Sequence, residues 1–190
     1  MTSGKEEIYQ KLCRHLDESW PDRSHHDFKW TLGPVTERLP RFSVRRVDPL
    51  GPGDGYLYLS VGAFESGAEP LREFFIMSAH ESPRHVETLA MVCHFHSIPA
   101  HRLQHGSIVN LGRPWAEGSN HQHLLISWPY AFDKRAATCM TFAGDMVYLW
   151  LVPISEREAD VVRRCGVQEL EERLESSGAN LLDPLRPSVY

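Results

Sequence analysis

Residues Gly106 to Phe132, GSIVNLGRPWAEGSNHQHLLISWPYAF, read as strand, structured loop and strand. Ile108–Leu111 and Leu124–Trp128 are the apolar runs, and Pro129-Tyr130 stops the second. Between them Arg113 and Trp115 stand beside turn formers, a mixture that no catalytic pattern explains. Arginine and tryptophan are enriched where proteins grip one another, because each offers large contact area or bidentate hydrogen bonding. The same two residues also have a purely structural reading, with Trp115 filling the core and Arg113 holding the loop through main-chain carbonyls. Tyr130 and Phe132, just past the second strand, are likewise core edge or contact surface.

On the N-terminal side, Ile8, Leu12, Leu16 and Trp20 recur every four residues, with Tyr9 and Cys13 widening the stripe, so Glu6–Trp20 is a helix ended by Pro21. PDRSHHDFKW, residues 21–30, reads as a polar loop. Phe42–Val47 alternates as a strand, PLGPGDG breaks the chain, and Tyr56–Val61 and Glu73–Ser78 follow as strands joined across Glu65–Pro70. Ser82-Pro83 supplies an N-cap and first helical position, and Val86, Leu89, Ala90 and Cys93 line one face of the helix closed by Pro99. On the C-terminal side Met146–Val152 is the most apolar run and should be central. Ser155 with Glu158 forms a capping box opening a helical segment that Gly166 splits, with Val167, Leu170 and Leu174 inward. The tail LLDPLRPSVY should lie extended along the surface. These elements predict an α+β fold: a mixed, mostly antiparallel sheet whose strongest strands are buried on both faces by a second sheet or by helices.

The 190 residues suit a single domain spanning 1–190, with 24% charged and 42% hydrophobic residues, which are globular values. A formal net charge of −5 gives no global field for nucleic acid or an anionic membrane. The local cluster Arg41-Arg45-Arg46 reads as a solvated strand face. MTSGKEEIYQ lacks the apolar core of a signal peptide, and no run reaches membrane-spanning length. The four cysteines are scattered without a CxxC pair, which fits reduced thiols in a cytoplasmic protein.

Eleven histidines invite a metal hypothesis. Zinc favours imidazole, and a catalytic site needs three protein ligands and an open position. His94 and His96 on a helix would point about 200° apart, whereas His121 and His123 on a strand would project to one side. There is no HExxH and no structural zinc spacing. Ser107 lacks the nucleophile-elbow context, Cys93 falls on the apolar face of its helix, and GPGDG lacks the lysine and helix of a phosphate loop. The reading therefore assigns no catalytic residue, no cofactor and no metal.

NLGRPW…GS…HLLIS.PY, followed by YLWLVPISEREAD…G…LEERLE and LLDPLRPSV, resembles the Suppressor of fused domain family. IYQKLCRHL, PRFSVRRV, YLYLSVGA and EFFIMSA…VETLAMVCHFH extend the resemblance over nearly the whole chain in one order. The animal members carry a second, C-terminal domain, and this chain is similar to the stand-alone bacterial form. The resemblance implies a two-layered α/β domain without catalytic residues. Animal relatives sequester a transcription factor by gripping a short extended peptide, and bacterial relatives are thought to be immunity proteins against a cognate toxin. It points to strand Ser107–Asn110 and loop Arg113–Trp115, hence Ser107, Asn110, Arg113 and Trp115, as partner-binding positions. His105-Gly106-Ser107 stands where relatives often have Gly-His-Thr, and His121 and His123 replace other polar residues.

Three functions follow, in this order. The first is a non-enzymatic binding module, an immunity protein neutralising a bacterial toxin, for which an acidic surface suits a basic partner. The second is a regulatory adaptor that sequesters a peptide or transcription factor. The third is a histidine-based metallo-hydrolase.

Overall fold

Periodicity and capping work as expected in the helices. The computed structural model describes residues 4–190. Helix α1, Gly4–Ser19, buries Ile8, Leu12 and Leu16. After strand β1, His25–Lys29, and the short helix α2, Pro34–Arg38, come strands β2, Ser43–Val47, β3, Tyr56–Val61, and β4, Arg72–Ser78. Helix α3, Pro83–His96, starts at Ser82, whose side chain accepts from the Arg84 amide, with proline in the first turn. Then follow β5, Ile108–Asn110, β6, His123–Ser127, the single turn α4, Lys134–Ala137, β7, Thr138–Thr141, and β8, Gly144–Ile154. The predicted capping box of Ser155 and Glu158 opens α5, Glu156–Cys165, and Gly166 separates it from α6, Val167–Ser176.

The strands form one sheet of eight, in the order β1-β2-β3-β4-β8-β6-β5, with β7 also on β8. Every pairing is antiparallel except β4 with β8. The most apolar run is central, as its composition requires: β8 alone joins the early meander to the later strands. Helices cover both faces. Tyr148, Trp150 and Val152 pack toward α1, α5 and α6, while Leu149 and Leu151 pack toward α2 and α3. The domain therefore has three layers where the resemblance implied two. Among the described residues no helix is long and apolar enough to cross a membrane.

Three local readings change. His25–Lys29 is a strand, because Asp27 stands opposite Arg45 and binds its guanidinium at 2.8 Å and 3.1 Å. Arg45 is accordingly buried, not solvated: α1 lies over it and supplies Asp17 as a second carboxylate. Burial alone would lower its pKa, but bonding to Asp27 and Asp17 outweighs that and raises it. The tail is not a free surface strand either, since Arg186 is buried. The four cysteines are free, with Cys93 and Cys139 buried and burial pushing their thiols up.

Two buried histidines should make the fold acid-sensitive. Burial, then the charges of Arg113 and Arg84, holds His85 down to about 4. Burial, then Arg102 and Arg72, does the same for His96, also to about 4. When the folded pKa lies below the unfolded one, the unfolded chain takes the proton first, so stability falls with pH between the two values. Each histidine should cost on the order of 3 kcal/mol by pH 4. Glu73, pushed up to about 7 by burial, opposes this, because its protonated form stabilises the folded chain below that value and the contribution is lost as pH rises through it. Two losses against one comparable gain leave a net decline. Urea unfolding at pH 7 and pH 4.5 should show lower stability at the acid value, and equal or greater stability there would contradict the assignment.

Candidate functional site

The quoted stretch lies at one end of the sheet, with β5 as its last strand. Val109 pairs with Leu124 and Asn110 with His123. The Ile126 amide donates to the Ser107 carbonyl at 2.9 Å, and the Leu111 amide to the Gln122 carbonyl at 2.8 Å. Main-chain groups alternate in direction along an antiparallel strand. The Ser107 carbonyl, Val109 and Leu111 therefore turn toward β6, while the Ser107 amide donates to the Gln104 carbonyl at 2.9 Å, which leaves the main-chain groups of Ile108 and Asn110 facing the open side. An unpaired strand edge of this kind is a template for another chain.

Each predicted site residue has a definite place. The Ser107 hydroxyl accepts from the Gln104 amide at 3.0 Å, closing the turn into β5. Asn110 is exposed, and its side-chain oxygen accepts from the Gly112 amide at 2.8 Å. Gly112, at φ 65°, occupies the left-handed region that favours glycine. Arg113 lies half-buried against α3, donating to the Thr88 hydroxyl at 3.1 Å and to the Pro114 carbonyl at 3.4 Å. Trp115 is 1% exposed and packs among the α3-side core residues, its ring 5.1 Å from that of His85. The structure thus brings Arg113 and the buried Trp115 together on the α3 side, whereas Ser107 closes the turn into β5 and Asn110 lies exposed on that strand. Both structural alternatives for the Arg–Trp pair are realised in these contacts.

Arg84 is a neighbour that sequence patterns did not single out. It reaches the Pro114 carbonyl from α3 at 3.3 Å. Arg84 and Arg113 donate to the same Pro114 carbonyl, which sets the two guanidiniums close together, and both press His85 toward its neutral form. Among the described residues neither has a carboxylate at ion-pair distance.

The histidines once weighed as ligands are dispersed. His121 and His123 are each 2% exposed. His123 Nε2 lies 3.3 Å from Glu156, whereas His121 Nε2 lies 3.9 Å from Glu158. His96 Nδ1 accepts from the Leu103 amide at 3.0 Å. Among the described residues no three His, Cys, Asp or Glu side chains converge as a metal ion would need.

A family model described as Suppressor of fused protein (SUFU) matches residues 69–187. No curated protein matches the chain. Among solved structures, a SUFU homolog from Neisseria gonorrhoeae FA 1090 superposes with a TM-score of 0.86 at 34% identity, covering 97% of each chain. A structure described as the Sufu–Fu complex gives a TM-score of 0.67 at 14% identity, over 98% of this chain and 92% of that one. Drosophila Suppressor of Fused gives 0.69 at 16% identity, over 94% of this chain and 50% of the fly protein. The last two similarities are ones of fold.

Proposed function

We propose that this chain, which belongs to the Suppressor of fused family, acts without catalysis by binding a protein, taking an extended segment along the open edge of β5. One observation carries this reading: among the described residues nothing pairs with the main-chain donors and acceptors of Ile108 and Asn110 at the sheet's end. Strand addition draws affinity from such groups and specificity from the side chains beside them. Arg84 and Arg113 suit an acidic residue in the bound segment, because a guanidinium can grip a carboxylate bidentately. Ser107 and Trp115 hold the two ends of the platform. That a Suppressor of fused protein has been solved in complex with Fu supports protein binding as the family's mode of action.

The partner in this reading is a bacterial toxin domain, and the chain is its immunity protein. Co-expression with a toxin encoded beside its gene should restore growth and yield a stable complex. Absence of both rescue and binding would remove the immunity reading. The second reading, an adaptor that sequesters a peptide or transcription factor, is favoured by the shortness of β5, which spans Ile108–Asn110 and suits a short segment.

Asn110→Pro tests the edge in either case. Proline removes an amide that faces outward and is tolerated at edge positions. Partner affinity should fall about tenfold or more, as for one lost hydrogen bond plus a steric block, while the far-UV spectrum stays unchanged. Unaltered affinity would exclude β5 as the docking strand.

A further inference from the structure

A cavity of about 710 Å³ opens between α6 and the sheet, on the face opposite α3, and the edge-binding reading leaves it unused. Its floor is apolar: Leu125 from β6 with Trp150 and Val152 from β8. Its wall is acidic, with Glu171, Glu172 and Glu175 supplied by α6. Tyr130, 67% exposed, stands at the mouth. Burial, then the charges of Glu171 and Glu175, pushes its phenol up. Such a volume with a few convergent polar groups is that of a ligand site.

The carboxylate of Glu171 is unlike the others. Its side chain is 15% exposed, and it accepts from Ser127 Oγ at 2.5 Å and contacts His105 Nε2 at 2.9 Å. Among the described residues every other carboxylate in an ion pair has an arginine partner, and Glu171 has only this histidine. No lysine or arginine lines the cavity. A second, independent feature is Trp150, which is 8% exposed and whose indole N–H has no acceptor among the described residues. An unpaired buried donor is costly and is expected to meet a partner.

From these features we infer that the cavity binds an organic cation: a guanidinium or ammonium group on an apolar stem. The charged head meets Glu171, Glu172 and Glu175, the stem lies on Leu125 and Val152, and the Trp150 indole N–H donates to a carbonyl where the ligand carries one, as a peptide does. The aromatic walls of Trp150 and Tyr130 favour a cation further. A bare metal ion does not fit, since no three ligating side chains converge among the described residues. Free alkylguanidines and arginine residues in a peptide share this chemistry.

Calorimetric titration of the full chain separates the two sources. The probes are agmatine, the blocked tripeptide acetyl-Ala-Arg-Ala-amide, and its citrulline counterpart, which is neutral but nearly isosteric. Agmatine or the arginine tripeptide should bind, with the citrulline peptide about tenfold weaker or worse, as for loss of a charge-assisted hydrogen bond. Agmatine binding more tightly marks a free small molecule, and the tripeptide binding more tightly marks a peptide segment; either result supports the site. Glu171→Gln should weaken the bound probe by a similar factor. The exposed pair Glu172→Gln and Glu175→Gln repeats the test without touching a buried group, and Glu117→Gln, outside the cavity, should change nothing. No heat with either cation at millimolar concentration, or equal binding of the citrulline peptide, overturns the proposal.

Discussion

Arg186→Ala is expected to destabilise the protein by on the order of 3–5 kcal/mol, the cost of leaving a buried carboxylate unpaired. Arg186 lies 5% exposed in the tail, and its two terminal nitrogens meet the two oxygens of Glu158 at 2.8 Å and 2.9 Å. A third bond runs to the Pro153 carbonyl at 2.9 Å. Glu158 is completely buried and also accepts from the amides of Ser155 at 2.8 Å and Val189 at 3.0 Å. One carboxylate thus caps α5 and fastens the last residues to β8. Burial would raise its pKa, but Arg186 and the two amides outweigh that and lower it. At roughly 2–4 °C per kcal/mol for a chain of this size, the melting temperature should drop by about 6–20 °C. Because the penalty belongs to the ionised form, it should shrink as pH falls and the orphaned carboxyl protonates. Arg186→Lys, which keeps the charge and loses the two-pronged bond, should fall between the two. A loss below about 1 kcal/mol for Arg186→Ala, the range of an exposed pair, would show that this bridge does not anchor the tail.

Trp115→Ala is expected to cost a further sort of stability, roughly 3–5 kcal/mol, through the cavity left in the core on the α3 side. Trp115 is the largest of the fully buried side chains and touches the same layer as Leu89, Val92 and Leu124. Its amide donates to the His121 carbonyl at 3.0 Å, so the loop between β5 and β6 is closed over the side chain. The substitution should therefore loosen the edge platform as well as the core, lowering the urea midpoint and partner affinity together. Trp115→Phe leaves a smaller cavity and should lose less of both than Trp115→Ala. Normal stability with selective loss of binding in Trp115→Ala would mean that the indole meets the partner directly.

Much of the fold was legible because its signals are local. Ser82-Pro83 and the Ser155–Glu158 box concern groups within one helical turn, and they form as read. The apolar run ending in Val152 needed burial on both faces and became the central strand. Strand β1 escaped notice because HHDFK has no apolar alternation, and its pairing depends on Arg45, 18 residues away from Asp27. The same separation hid the burial of Arg45, since a lone arginine on a strand looks solvated until two aspartates close over it. For the candidate site, the positions from Ser107 to Trp115 could be named from motif resemblance, but not that Asn110 would be exposed and Trp115 buried.

Hydrogen bonds and apolar spacing within a few residues of chain therefore set the helices, most strands and their caps. The open side of β5, the guanidinium pair at Arg84 and Arg113, and the acid-walled cavity came only with the folded chain. His105, Ser127 and Glu171 lie up to 66 residues apart, and neighbourhood along the chain carries no trace of their meeting. Sheet order and helix docking create those juxtapositions, and charge and burial acquire their meaning only after such long-range contacts exist.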